Sequence, residues 1–138
     1  MSDILKRALT QYGIKEIPGI KNNPEIMKYF DVMDMDWVQD DETAWCSAFM
    51  NWCCIESGKP ASMALNARSW LGVGNVASTP QLGDIIIFWR EDPKSWKGHV
   101  GIYINHGHGA VWTLGGNQNN MVCIKPYPSS RVIGYRRV

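Results

Sequence analysis

The 138-residue chain has no basic run, no long apolar run and no paired-cysteine spacing. Its 14 lysines and arginines face 13 acidic residues, for a formal charge of +1. Without a basic tract to neutralise phosphates, nucleic-acid binding is not expected. No stretch approaches the length of a membrane span, so none is expected either. The first ten residues carry Asp3, Lys6 and Arg7 and lack the apolar centre of a signal peptide, so synthesis in the cytoplasm is expected. Cys46, Cys53, Cys54 and Cys123 are even in number but follow neither a disulfide nor a zinc framework. The last three read as packing residues. Repeats, low-complexity segments and linkers are also missing, which leaves a single domain, 1–138.

What the chain does have is a helix entry with a thiol in its opening turn. In the stretch Asp40–Trp52, the residues Trp45, Ala48, Phe49 and Trp52 recur at the spacing of one buried helical stripe. Asp40, Asp41 and Thr43 are the expected caps. Asp40, Asp41 and Glu42 would favour the helix N-terminus, and Gly58 with Pro60 would end the helix. A cysteine at a helix N-terminus faces the positive end of the macrodipole, which favours its thiolate. Used only as a small apolar residue, the same cysteine would be inert.

Before this helix, Ser2 caps a helix through Ile4, Leu5, Ala8 and Leu9. A turn follows at Ile17-Pro18-Gly19, and Asn23-Pro24 opens a second helix to about Phe30. Residues 31–39 read as irregular. Ala64–Leu71 reads as a short helix carrying Arg68 and Trp70, broken at Gly72. From Pro80 the texture changes. Asp84–Arg90 is an apolar run of central-strand type, with Asp84 organising the turn into it. His99–Asn105, Ala110–Leu114, Met121–Lys125 and Arg131–Arg137 complete a meander with turns at 106–109, 116–120 and 126–130. Helices first and an antiparallel sheet after make the class α+β.

A thiol nucleophile needs a base, and the base needs a third group to orient it. His99, opening a strand after Gly98, is the expected base. Asn117 and Gln118 fall where a neighbouring strand returns beside it, and an amide oxygen there would fix the ring tautomer. The same Gly-Gly-Asn-Gln-Asn-Asn run is also good turn chemistry. His106 and His108, with His99 or Cys123, form the rival metal set. Glycines flank both histidines in the manner of a hairpin tip, and no carboxylate is near, so no metal or other cofactor is expected.

Three blocks, Trp45–Trp52, Gly83–Phe88 and Gly98–Tyr103, resemble the NlpC/P60 and CHAP superfamily of cysteine hydrolases. Lys15–Gly19 with Asn23-Pro24, Ala67–Leu71, Leu114–Gln118 and Gly134–Arg136 resemble a small phage and proteobacterial subfamily of that group. The likeness runs in order over nearly the whole chain. It implies a papain-like α+β fold, with N-terminal helices packed on a mainly antiparallel sheet of about five to six strands. It also implies cleavage of an amide bond of the bacterial peptidoglycan stem peptide, by an endopeptidase or an N-acetylmuramoyl-L-alanine amidase. Cys46 is then the nucleophile, His99 the base and Asn117 the third residue, with Gln118 the runner-up.

Trp45, Arg68 and Trp70 are candidates for the groove walls, Arg68 holding a stem-peptide carboxylate, with core packing an equal reading for the two tryptophans. Peptidoglycan is the expected partner, with an immunity or inhibitor protein if the chain is a secreted effector. It would act in the periplasm or cell wall after delivery by lysis or a secretion system. Two other readings keep the fold. One is a wall-binding module without catalysis, which would have no need of the thiol; the other is acyl transfer by the same Cys–His pair.

Overall fold

The computed structural model describes residues 2–17, 23–34 and 45–138. The expected turn at Pro18-Gly19, most of the irregular stretch 31–39, and the caps Asp40, Asp41 and Thr43 lie outside the described residues, as does Glu42.

Apolar residues spaced three and four apart make the N-terminal helices. In α1 (Asp3–Leu9), Ile4, Leu5 and Ala8 are buried, and the Ser2 hydroxyl accepts from the Leu5 amide at 3.2 Å. In α2 (Pro24–Asp31), Asn23 accepts from the Glu25 amide at 2.9 Å and Pro24 fills the first turn, while Ile26, Tyr29 and Phe30 turn inward. The third helix, α3 (Cys46–Glu56), is buried on all sides from Cys46 to Cys54. It is the axle of the fold, packing against α1 and α2 on one flank and the sheet on the other.

A helix buried this completely must satisfy its polar side chains internally. The Ser47 hydroxyl donates to the Ala64 carbonyl at 2.6 Å and accepts the Trp70 indole N–H at 2.8 Å. Asn51 donates to the Ser47 carbonyl at 2.9 Å and accepts the Met63 amide at 2.8 Å. These bonds tie the connection at 62–64 and a 3-10 turn (Ala67–Gly72) to α3.

The sheet is six-stranded and antiparallel among the described residues. Its strands are β1 (Asn75–Val76), β2 (Ile85–Trp89), β3 (Gly98–Gly107), β4 (Ala110–Gln118), β5 (Met121–Pro128) and β6 (Val132–Arg137), in spatial order β1-β6-β2-β3-β4-β5. The α+β reading therefore holds. The expected strands all form, but only β2–β5 run as a meander: β6 crosses back to pair with β2 rather than β5, and β1 beyond it is an edge strand too short to leave a period in the sequence. Pro126 and Pro128 are tolerated because β5 is the other edge, where a missing amide breaks no ladder. Two-residue turns at His108-Gly109 and Asn119-Asn120 join β3–β4 and β4–β5, all four residues at positive φ.

One boundary differs in a way that bears on the site. The expected turn at 116–120 is two residues long, and β4 runs on through Gln118. Pairing with β5 passes from Gly115 opposite Cys123 to Gln118 opposite Met121, so Gly116 and Asn117 together face the single residue Val122. This is a β-bulge, with Asn117 at φ +57°.

At the far end of the sheet, Asp84 organises the entry to β2 as expected. Its carboxylate accepts Arg137 Nε at 2.8 Å, Arg137 Nη2 at 2.7 Å and the Gln81 amide at 2.8 Å, fastening β2 to the end of β6. The Asp84 side chain is 5% exposed and that of Arg137 43%. Removing the guanidinium strands a buried charge, whereas removing the charge of Asp84 leaves a cation that water can reach. Arg137→Gln should therefore lower the urea unfolding midpoint at pH 7 more than Asp84→Asn does; the reverse order would show that the pair does not act this way.

Candidate active site

The thiol of Cys46, the first residue of α3, is only 8% exposed. Burial pushes it above its ordinary range, against hydrogen bonds from the backbone of Val100, Ser47 and Cys46 itself and the positive charge of Arg90. Trp45 occupies the cap position and makes no side-chain cap bond, so the opening amides of the helix lack a side-chain acceptor from it. Cys53 and Cys54 have less to offset burial. Cys53 is driven well up and Cys54 to about 12, which suits the packing role expected of both.

The state of His99 follows from a chain of obligatory hydrogen bonds. Gln118 is 1% exposed, and its side-chain nitrogen lies 3.1 Å from the Thr113 carbonyl and 2.6 Å from the Cys123 carbonyl. Carbonyls only accept, so the amide NH₂ must point at them and Oε1 must point the other way. Oε1 lies 2.9 Å from His99 Nε2 and can only accept, so Nε2 carries the proton. In the neutral ring the lone pair is then on Nδ1. The Tyr127 hydroxyl lies 3.2 Å from the same Nε2, and the tyrosine ring packs tilted against His99 at 5.0 Å between centroids. Burial lowers His99 to about 4; the bond to Gln118 works against that, and the charges of Lys125 and Arg90 add to it.

Of the two amides expected at the third position, the structure brings Gln118 to His99. Asn117 lines the same cavity but makes no bond to the ring among the described residues. The bulge is the cause. By inserting one residue, it puts Gln118 on the same face as Gly115 rather than the opposite one. A Cβ on Gly115 would lie 2.5 Å from Gln118 Oε1 and 3.4 Å from His99 Nε2, so only glycine leaves room for the side chain above it. On Gly116 a Cβ would come 2.7 Å from the Trp45 ring, so the same pair of glycines also sets how closely α3 approaches β4.

Cys46 and His99 share the wall of a cavity of about 230 Å³, with Asn66, Ala67, Phe88, Trp89, Arg90, Trp96, Tyr127 and Arg131 among the other lining residues. None of the three wall candidates lines it, and the two tryptophans take the core reading. Trp45 is fully buried, its indole N–H donating to Glu16 Oε1 at 2.7 Å, and Trp70 is fully buried against Ser47. Arg68 spends its guanidinium on the carbonyls of Lys97, Pro93 and Asp92 at 2.9, 3.0 and 3.2 Å, clamping the β2–β3 connection. The indoles that do face the cavity are Trp89 and Trp96, the latter 69% exposed. Their signal in the sequence was available: both flank the apolar β2 run, one at its end and one in the loop before His99.

Of the rival metal set, His106 Nδ1 bonds the Tyr103 hydroxyl and His108 sits in the tight turn. Among the described residues no group of three or more His, Cys, Asp or Glu side chains could hold a metal ion.

Two outcomes follow from this geometry. His99 is held near pKa 4 in the fold against about 6.5 in the unfolded chain, so the unfolded state binds the extra proton between those values. Stability should fall as pH drops from 6.5 to 4, by on the order of 3 kcal/mol from this residue, and then level off. The slope of unfolding free energy over that window should be smaller in His99→Gln; equal slopes would refute the assignment. Gly115→Ala should displace Gln118 and free the ring, seen as a changed ¹⁵N tautomer pattern of His99, whereas an unchanged pattern would show that the ring is oriented by other means.

With the geometry in hand, comparison with known proteins is direct. No curated protein sequence matches the chain. Among solved structures it is similar to an NLP/P60-family lipoprotein-like protein of Staphylococcus aureus, with TM-score 0.53 and 18% identity over 99% of this chain. It spans 40% of that protein's length. It is also similar to the P60 domain of an antigen of M. avium paratuberculosis, with TM-score 0.52, 18% identity and coverage of 99% of this chain and 90% of that one. A third is RipD of Mycobacterium tuberculosis, described as a non-catalytic NlpC/p60 domain protein adapted to peptidoglycan binding, with TM-score 0.52, 18% identity and coverage of 99% and 95%. At these identities the likeness is one of fold. The CHAP domain family model matches residues 38–117, more than half of the chain, and takes in both Cys46 and His99. The chain belongs to the CHAP domain family, within the fold shared with NlpC/P60 proteins.

Proposed function

We propose that the protein is a cysteine hydrolase that cleaves an amide bond of the peptidoglycan stem peptide, with Cys46, His99 and Gln118 as its catalytic set. The observation that carries this reading is the locked tautomer of His99, with Nε2–H held by a buried amide and the lone pair left on Nδ1, in a ring that shares its cavity with Cys46. A peptidoglycan-related role follows from the family; amide cleavage is the finer step.

Burial raises the thiol and lowers the imidazole, so both are neutral at rest near pH 7. The proton moves during attack: Nδ1 takes it from Sγ as the sulfur bonds to the substrate carbonyl carbon. The opening amides of α3 face the developing oxyanion, each such donor worth about 3 kcal/mol in comparable sites. The imidazolium then gives its proton to the departing amine, and water attacks the thioester to regenerate the thiol. Gln118 stabilises the imidazolium by accepting from Nε2–H throughout. Action at the wall, after delivery by lysis or a secretion system, and inhibition by an immunity protein belong to the same proposal.

The likeness to RipD favours a second reading, wall binding without catalysis. Digestion of purified sacculi separates the two. Wild-type protein should release fragments whose new termini identify the bond cut, and Cys46→Ala should release none. Gln118→Ala should lower kcat roughly 10²-fold, well beyond any loss in Asn117→Ala. Binding to sacculi with no release by the reduced wild type would leave the binding reading standing. Equal losses at 117 and 118 would remove Gln118 from its role.

A further inference from the structure

The cavity that holds Cys46 and His99 also takes in Arg90 and Arg131, and no acidic side chain lines it among the described residues. In a chain of net charge +1 this is a local concentration of one sign. Arg90 follows the end of β2, is exposed, and has neither an ion pair nor a side-chain hydrogen bond among the described residues. The acids next to it in sequence are committed elsewhere. Glu91 pairs with Lys97 at 3.0 Å, and the Asp92 carboxylate accepts the Lys94 amide at 2.7 Å.

Arg131 is placed in advance. Its guanidinium lies 5.1 Å from the centre of the Trp89 ring, and the Trp89 indole donates to the Ser130 carbonyl at 3.3 Å. A stacked guanidinium keeps its N–H edge free for an anion and loses little further freedom on binding one.

Resting on the peptidoglycan reading above, the geometry points to a carboxylate-binding subsite formed by Arg90 and Arg131, which selects a peptide with a free carboxylate beside the scissile amide. The planar fork of a guanidinium matches a carboxylate through two parallel hydrogen bonds. Both arginines are exposed, so an apolar or amidated peptide leaves them hydrated, and the selectivity comes from the charge-assisted bonds that only the free acid makes. The charge of Arg90 already reaches both Cys46 and His99, so a carboxylate bound there lies within electrostatic range of the reacting groups.

The test is calorimetric titration of the Cys46→Ala protein with a soluble muropeptide monomer carrying free carboxylates, and with the same monomer after carbodiimide amidation. The free acid should bind about tenfold or more tightly at low salt, and the margin should shrink as ionic strength rises. Arg90→Gln and Arg131→Gln should each remove most of the margin, and Arg90→Lys should restore part of it, with unfolding midpoints matching the parent. Equal affinity for the two forms, binding of neither, or a preference that survives the double Gln variant would each overturn the subsite. Hydrolysis by wild-type protein is scored separately on native sacculi. Cleavage there without carboxylate preference sinks the subsite and leaves the hydrolase; preference in Cys46→Ala with no wild-type cleavage does the opposite.

Discussion

Two backbone carbonyls, those of Thr113 and Cys123, decide which nitrogen of His99 carries the proton. Because they can only accept, they fix the Gln118 amide, and the amide fixes the imidazole. Much of the structure serves that relay. The β4–β5 pairing brings the carbonyls together, the bulge at 116–117 turns Gln118 onto the His99 face, and Gly115 clears the space for it. The arrangement is buried, so every partner is needed: an amide turned the other way would set its NH₂ against a ring N–H and its oxygen against two carbonyls.

The fold was legible because its signals are periodic and add up along the chain. Apolar spacing gave α1 and α3, the Asn23-Pro24 cap gave α2, and the apolar run into β2 has the pattern of a central strand. Cys46 and His99 were legible because each sits at a boundary, a helix start and a strand start, where a thiol or an imidazole has a chemical reason to be. Gln118 was harder to see. Choosing between it and Asn117 requires knowing which residue is extra, and a bulge changes that by one position without changing composition. The Gly-Gly-Asn-Gln-Asn-Asn run reads as a loop, but its first four residues are strand and only Asn119-Asn120 turn.

Trp45 and Trp70 take the core reading, and Arg68 leaves its expected place, for a related reason. Aromatic and cationic residues near a nucleophile in sequence invite a reading as groove wall, but whether a side chain faces the cavity is settled by long-range partners. Trp45 finds Glu16, 29 residues away, and Trp70 finds Ser47, 23 away. Arg68 finds carbonyls 24 to 29 residues away. Such partners leave no local trace. Of the residues that do face the cavity, Trp96 lies in a connection that the same Arg68 clamps.

The electrostatics of the site pull in two directions. Arg90 stabilises a thiolate at Cys46 and penalises an imidazolium at His99, while burial disfavours both charged forms. Neither charge is favoured alone, and the pair becomes favourable only when proton transfer is coupled to bond formation, since Gln118 stands ready to accept from the charged ring. An anion seated on Arg90 would cancel part of its charge and make His99 a stronger base at the moment the site is filled. A glycine under a buried amide, a residue at positive φ in a strand and a histidine held below its ordinary pKa each oppose stability, and they are the features that support the proposed chemistry over wall binding alone.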